Sequence, residues 1–174
     1  MHLHLRPARP ADTGVIAAVA RESWHAAYGD FLSTVTIDET VDAWYDPVDL
    51  REQVEEGAFV VAVDEERPES DDIVAFAHAV VASDGTRPTL TRLYARESYW
   101  GSGVGTQLLH RVVADLDTDA GHEFLSALVF ANNAVGRGFY ESHGFEVVGR
   151  RTEAFDGNDH EELILRAPLD TLAE

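Results

Sequence analysis

Residues 99–109, YWGSGVGTQLL, set Gly101, Gly103 and Gly105 around Ser102 and Val104 and run directly into a helical pattern. Glycine loses more backbone freedom on folding than any other residue, so three alternating glycines need a physical reason. N–H groups at a helix start lack partners, and the helix dipole favours an anion there. Glycines let a phosphate approach bare main chain. The chemistry on offer is binding of an anion, with phosphate the natural ligand. A tight strand-to-helix turn with no ligand is the other reading of the same residues. A Walker A loop is excluded, because the chain has no Lys. The G-x-G-x-G spacing after a fourth strand also fits a dinucleotide fingerprint poorly.

Other reactive residue types are sparse. There is no cysteine, which removes disulfides, thiolate metal sites and a Cys nucleophile. Among the eight histidines, His2 and His4 share one strand face and read as structural rather than as metal ligands. His78 sits in an apolar strand, as a core or cleft residue or as a base. His143, before Gly144, suits a helix C-terminus. Trp24, Tyr28 and Phe31 could line an acceptor pocket or pack as an ordinary helix face. No metal site is expected.

The chain has 174 residues, 45% of them hydrophobic, which fits one domain spanning 1–174. Asp and Glu total 32 against 13 basic residues, all Arg, for a net charge of −19. That balance argues against nucleic acid as a partner. The acids are scattered, which suits a solvated acidic coat in concentrated salt, where ~1 M shortens the Debye length to ~3 Å. An acidic surface for cationic partners is the alternative. No apolar run approaches the ~20 residues of a membrane span, and residues 1–12 lack a signal-peptide core. No membrane partner is expected, and a cytoplasmic location is.

The elements that must position the glycine segment follow from periodicity. HLHLRPA (2–8) alternates and reads as a first strand, stopped by Pro7 and Pro10. Asp12 suits an N-cap, and Val15, Ile16, Val19, Ala20, Trp24 and Tyr28 recur at helical spacing. Residues 36–46 and 46–56 read as two short helical pieces broken by Pro47. AFVVAVD (58–64) and DIVAFAHAVVAS (72–83) are apolar strands joined by an acidic, solvated loop. SDGTRP (83–88) is a turn and TLTRLYA (89–95) a fourth strand. After the glycines, Val104, Leu108, Leu109, Val112, Val113 and Leu116 share one helix face. FLSALVFA (124–131) is a fifth strand. Asn132 or Asn133 can cap a helix ending at Gly144, and 145–155 with 160–169 form a closing hairpin. The order is β-α-α-β-β-β-α-β-α-β-β.

This order and spacing resemble the GNAT superfamily of acyl-CoA-dependent N-acyltransferases. LYARESYWGSGVGTQLL (93–109) is similar to its cofactor segment, Q/R-x-x-G-x-G/A opening a helix. NAVGRGFYESHGF (133–145) resembles its N-x-x-A-x-x-x-Y-x-x-x-G-F segment, and RESWHAAYGDFL (21–32) its first helix and substrate loop. The resemblance covers residues 3–169. Trp100 stands at the Q/R position and Gly136 at the usual Ala, with Gly138 after it. Close approach of a ligand, or a loosely formed helix, would account for both glycines. Thr89 and Thr91 occupy the slots of a frequent Glu, which leaves the general base unassigned.

The resemblance implies a mixed α/β fold with a largely antiparallel sheet, flanking helices and splayed fourth and fifth strands. It implies acetyl-CoA as co-substrate and a small-molecule or peptide amine as acceptor. The main chain of Leu93 and Ala95 would bond the pantetheine arm. A backbone N–H near Tyr94 or Ala95 would stabilise the oxyanion. The segment from Trp100 through Gly101, Ser102, Gly103, Val104, Gly105 and Thr106 would hold the pyrophosphate. Asn133 would reach the cofactor, Trp24 and Tyr28 the acceptor, and Tyr140 would protonate the leaving thiolate. A homodimer is compatible with such a fold, although no residue argues for one. A non-catalytic acyl-CoA-binding module and a scaffold that kept only the fold are the rival classes.

Overall fold

In the computed structural model, residues 1–82, 87–116, 118 and 121–173 are described. The turn expected at 83–88 therefore lies, over 83–86, outside the described residues. Seven strands form one sheet: β1 (Leu3–Pro7), β2 (Ala58–Asp64), β3 (Ile73–Val81), β4 (Pro88–Ala95), β5 (Phe124–Phe130), β6 (Glu146–Phe155) and β7 (Asn158–Pro168). Their spatial order is β1-β2-β3-β4-β5-β7-β6. Every neighbouring pair is antiparallel except β4–β5. Helices α1 (Thr13–Tyr28), α2 (Thr34–Trp44) and α3 (Pro47–Gln53) cover one face, and α4 (Val104–Asp115) covers the other. Helix α5 (Ala134–Ser142) follows β5, and a short α6 (Leu169–Leu172), unforeseen in the sequence, closes the fold.

The apolar runs are explained by position. Strand β2 is buried throughout because Ala58, Val60 and Ala62 face α4 while Phe59, Val61 and Val63 face α1–α3. The α4 stripe of Val104, Leu108, Leu109, Val112 and Val113 is the buried face, as its 3.6-residue spacing requires. Asp12 precedes α1 but makes no side-chain cap. Its carboxylate instead takes two bonds from Arg6, at 2.7 and 3.0 Å, and one from the Arg9 N–H. A paired guanidinium is a stronger charge-assisted partner than a helix N–H.

The β4–β5 pairing determines the shape of the site. It is parallel and holds over only two register pairs, Thr89↔Ser126 and Leu90↔Ala127. Beyond them the strands part. Thr91 is a bulge: His78 pairs with Arg92 and Ala79 with Leu90, leaving one extra residue on β4. The Thr91 hydroxyl donates to the His78 carbonyl at 3.0 Å. A bulge bends its strand and increases the local twist, and this one turns β4 away from β5.

Candidate active site

The gap between the parted strands is a cleft of about 400 Å³, floored by β4 and β5 and walled by α1, α4 and α5. Strand alternation decides which main chain faces it. The Arg96 N–H bonds the Val74 carbonyl of β3, so Arg96, Tyr94 and Arg92 direct their main chain to β3 while Ala95 and Leu93 direct theirs into the cleft. Tyr94 therefore has no N–H to offer an oxyanion; of the two residues expected, Ala95 remains, with Leu93 beside it. The Ala95 carbonyl is already engaged, by Ser23 Oγ–H at 2.8 Å and the Trp100 indole N–H at 3.0 Å. Trp100 thus fastens the glycine segment to the end of β4. Ser23 was not identified from the sequence, where a small hydroxyl on an apolar helix face carries no distinguishing signal.

The segment 96–106 is held from several sides. Arg96 is buried and bonded to Glu22 and Asp71. The Tyr99 hydroxyl donates to Asp64 at 2.7 Å. The acidic stretch 64–72, expected as a solvated loop, therefore anchors the approach to the glycines through Asp64 and Asp71. Gly101 and Gly103 have φ of 74° and 87° and open space around them. Such angles are costly for any residue with a Cβ. Gly105 is helical, and a Cβ there would stand 3.0 Å from the Phe139 ring. Among the described residues, the N–H groups of Gly101, Gly103, Gly105 and Thr106 have no acceptor. Four unpartnered donors around a helix start form an anion cradle. Ser102 Oγ donates to the Tyr99 carbonyl at 2.6 Å, and Val104 begins the buried stripe of α4.

Helix α5 forms the opposite wall. Asn133 lines the cleft, and its Oδ1 caps α5 by accepting the Gly136 N–H at 2.9 Å. Gly136 is required by that cap: a Cβ would fall 2.5 Å from Asn133 Nδ2 and 3.1 Å from Val129. A neighbouring side chain, rather than a ligand, accounts for this glycine. Gly138 meets nothing within 4 Å. The two should therefore respond oppositely to alanine. Gly138→Ala is predicted to stabilise the fold by ~1 kcal/mol, whereas Gly136→Ala is predicted to lose the cap and destabilise it by ~0.5–2 kcal/mol. Thermal unfolding of both variants checks this; equal upward shifts in Tm would refute the packing argument.

His143 Nδ1–H donates to the Phe139 carbonyl at 2.7 Å, leaving Nε2 to accept the Thr106 hydroxyl at 3.0 Å. It joins the end of α5 to the first turn of α4. Tyr140 lines the cleft, and burial, with Tyr94 nearby, pushes its phenol above the ordinary value. Tyr28 also lines the cleft, its hydroxyl 3.4 Å from that of Tyr94. Trp24 does not. It is 2% exposed and packs edge-on against Tyr28 and Trp44 behind the lining. One turn of helix separates the two, and only the later residue reaches the opening.

His78 is a core residue. Its Nε2–H donates to the Glu56 carbonyl at 2.9 Å, its Nδ1 faces Arg92 at 3.3 Å, and its ring stacks on Phe59. Burial, reinforced by the Arg92 charge, lowers its pKa to about 4. Both nitrogens are engaged and the ring lies outside the cleft, so it is not the base. His4 lies 3.3 Å from Glu65. Among the described residues no group of three or more His, Cys, Asp or Glu could hold a metal ion. No described helix is long and apolar enough to cross a membrane. The cleft lining contains no Asp or Glu; Arg92 and His143 are its basic side chains.

The family model of the Acetyltransferase (GNAT) family matches residues 18–145. Among solved structures, the chain is similar to the PaiA N-acetyltransferase from Thermoplasma acidophilum in complex with coenzyme A. They share 22% identity over 97% of this chain and 99% of that one, with a TM-score of 0.76. It is also similar to apo YjaB from Escherichia coli, at 25% identity over 95% and 97% of the two chains and a TM-score of 0.68. A third is YncA, a putative acetyltransferase from Salmonella typhimurium with acetyl-CoA, at 22% identity over 98% and 95% and a TM-score of 0.63. No curated protein sequence matches the chain.

Proposed function

Because the chain belongs to the GNAT acetyltransferase family, we propose that its cleft takes acetyl-CoA and that it moves the acetyl group to an amine. The observation that carries this reading is the row of four unpartnered N–H groups, from Gly101 to Thr106, at one end of a cleft between parted strands. These N–H groups fit a pyrophosphate. The cleft-facing groups still free, the Leu93 N–H and carbonyl and the Ala95 N–H, fit the amides of a pantetheine arm as a further strand would. Of the Leu93 and Ala95 N–H groups, the one that the pantetheine arm leaves free would stabilise the oxyanion as the thioester carbonyl is attacked. Tyr140 lines the cleft and its burial keeps it protonated, which supports its giving the leaving sulfur a proton. Asn133 lines the same space, and its NH2 group has no acceptor among the described residues. The acceptor enters from the Tyr28 side, and attack is direct, with no covalent enzyme intermediate.

The absence of a carboxylate from the lining favours a second reading, a module that binds acyl-CoA without turning it over. A thiol-release assay over a panel of small amines and peptide N-termini separates the two. An amine that both releases coenzyme A and gains an acetyl group supports the transferase. Binding without release against every amine supports the module.

Salt should strengthen the interaction. At a net charge of −19, the protein's field repels a polyanion in dilute buffer, and screening removes that repulsion. Raising KCl toward ~1 M is predicted to raise both the Tm and the acetyl-CoA affinity. Calorimetry across a KCl series tests this, and an affinity falling steadily while the fold stays intact would contradict it.

A further inference from the structure

An acceptor amine is an ammonium ion at neutral pH, and its nitrogen cannot attack until a proton leaves. The cleft lining supplies no carboxylate, but one stands beside it on β7. Glu162 is 8% exposed and is one of three buried carboxylates among the described residues, with Asp12 and Asp64. Asp12 is satisfied by Arg6 and the Arg9 N–H, and Asp64 by the Tyr99 hydroxyl and the Glu66 N–H. Glu162 is not. Its Oε2 accepts from Arg151 Nε at 2.6 Å, while its Oε1 receives no hydrogen bond among the described residues. This Oε1 is not sealed from solvent, unlike the unpartnered buried atoms of Trp24, Gln53 and His160, so its free lone pairs are open to an incoming N–H.

The register places this oxygen's side chain at the acceptor end. Glu162 pairs with Phe130 of β5, and Ile164 with Leu128. Leu163 and Leu165 point into the α4-side core, so Glu162 and Phe130 point to the α1 side. Glu162 is thus adjacent to Phe130 and diagonal to Leu128, which lines the cleft. Tyr28, also in the lining, packs its ring 5.1 Å from Phe130. Phe31 and His160 lie beside Phe130 at 5.6 and 6.3 Å and complete an aromatic wall of the kind that favours a cation. The charged and titratable groups around Glu162 are Arg151 and Glu153 on β6, Asp156 in the β6–β7 turn, His160 on β7 and the Tyr28 phenol on α1.

We infer that Glu162 receives the acceptor, its Oε1 first accepting a hydrogen bond from a primary ammonium group and then taking its proton. This rests on the reading of the cleft as an acetyl-transfer site. Glu162 holds the first proton. The freed nitrogen pair forms the C–N bond as the C–S bond breaks. Tyr140 gives its proton to the leaving thiolate and regains one from the nitrogen of the new amide. Glu162 then releases its proton to solvent.

The test compares wild type, Glu162→Gln and Arg151→Gln with an amine the wild type acetylates. Turnover is measured against pH, acetyl-CoA affinity by calorimetry, and Tm by unfolding. Glu162→Gln is predicted to keep acetyl-CoA affinity and lose ~10²-fold or more in kcat/KM at neutral pH, the loss shrinking as rising pH deprotonates the amine in solution. Arg151→Gln keeps a donor for Oε2 but removes the charge beside it, so the variant should stay active with its acid limb moved to higher pH. Glu162→Gln within about threefold of wild type at every pH would overturn the inference. Equal losses in both variants with equal drops in Tm would also overturn it, by reducing the pair to a structural ion pair. A wild type that acetylates no amine overturns the transferase reading and this inference with it.

Discussion

Tyr140→Phe is predicted to lower turnover by ~10²–10⁴ while leaving acetyl-CoA affinity unchanged. The substitution keeps the ring that packs 5.1 Å from Phe145 and 5.5 Å from Phe139 and removes only the hydroxyl. Burial raises the Tyr140 pKa above the ordinary phenol value of ~10, so the group stays protonated across the working range. A phenol is a weaker acid than a free thiol, of pKa ~8.5. Burial in the same cleft would raise the thiol as well, and the difference between the two decides the transfer. The loss falls toward the lower bound if the thiolate leaves readily without help. The acid limb of the pH profile belongs to the acceptor side and should survive in the variant. No alkaline limb near pH ~10 should be traceable to Tyr140. Full activity of Tyr140→Phe across the profile would reduce the residue to packing.

Gly103→Asn is predicted to weaken acetyl-CoA binding at least ~10-fold, or ~1.4 kcal/mol. Asn tolerates the left-handed backbone better than other side chains, so the loss would report the side chain's intrusion into the phosphate position. Gly144→Asn is the control. Gly144 has a similar φ of 82° and equally open surroundings, but lies past the end of α5 and outside the cleft. Both variants should melt at similar temperatures, and only Gly103→Asn should bind poorly. Equal affinities would mean that the glycines serve the turn alone.

The elements around the site were more legible than its details. Helix α4 was legible because its apolar stripe repeats every 3.6 residues behind a left-handed glycine. Strands β2 and β3 were legible as continuous apolar runs because both of their faces are covered. Asp12 looked like a cap because its position is right, but a tertiary partner, Arg6, took its carboxylate. The bulge at Thr91 leaves no mark on composition, so the parting of β4 and β5 came only with the family resemblance. Trp24 and Tyr28 share a helix stripe, and periodicity cannot tell which of them the opening reaches. Glu162 follows Glu161 in a strand where alternation sends one inward and one outward. Which face meets the cleft depends on the β5–β7 register, set by pairing far along the chain.

The most direct measurement is a titration of acetyl-CoA into the isotopically labelled protein, following backbone amide resonances. Saturable shifts concentrated at Gly101, Gly103, Gly105 and Thr106, with the Leu93 and Ala95 amides moving in step, are the predicted result. Saturable binding that leaves those amides in place and moves others, or no binding in any salt that preserves the fold, would contradict the assignment of the cleft.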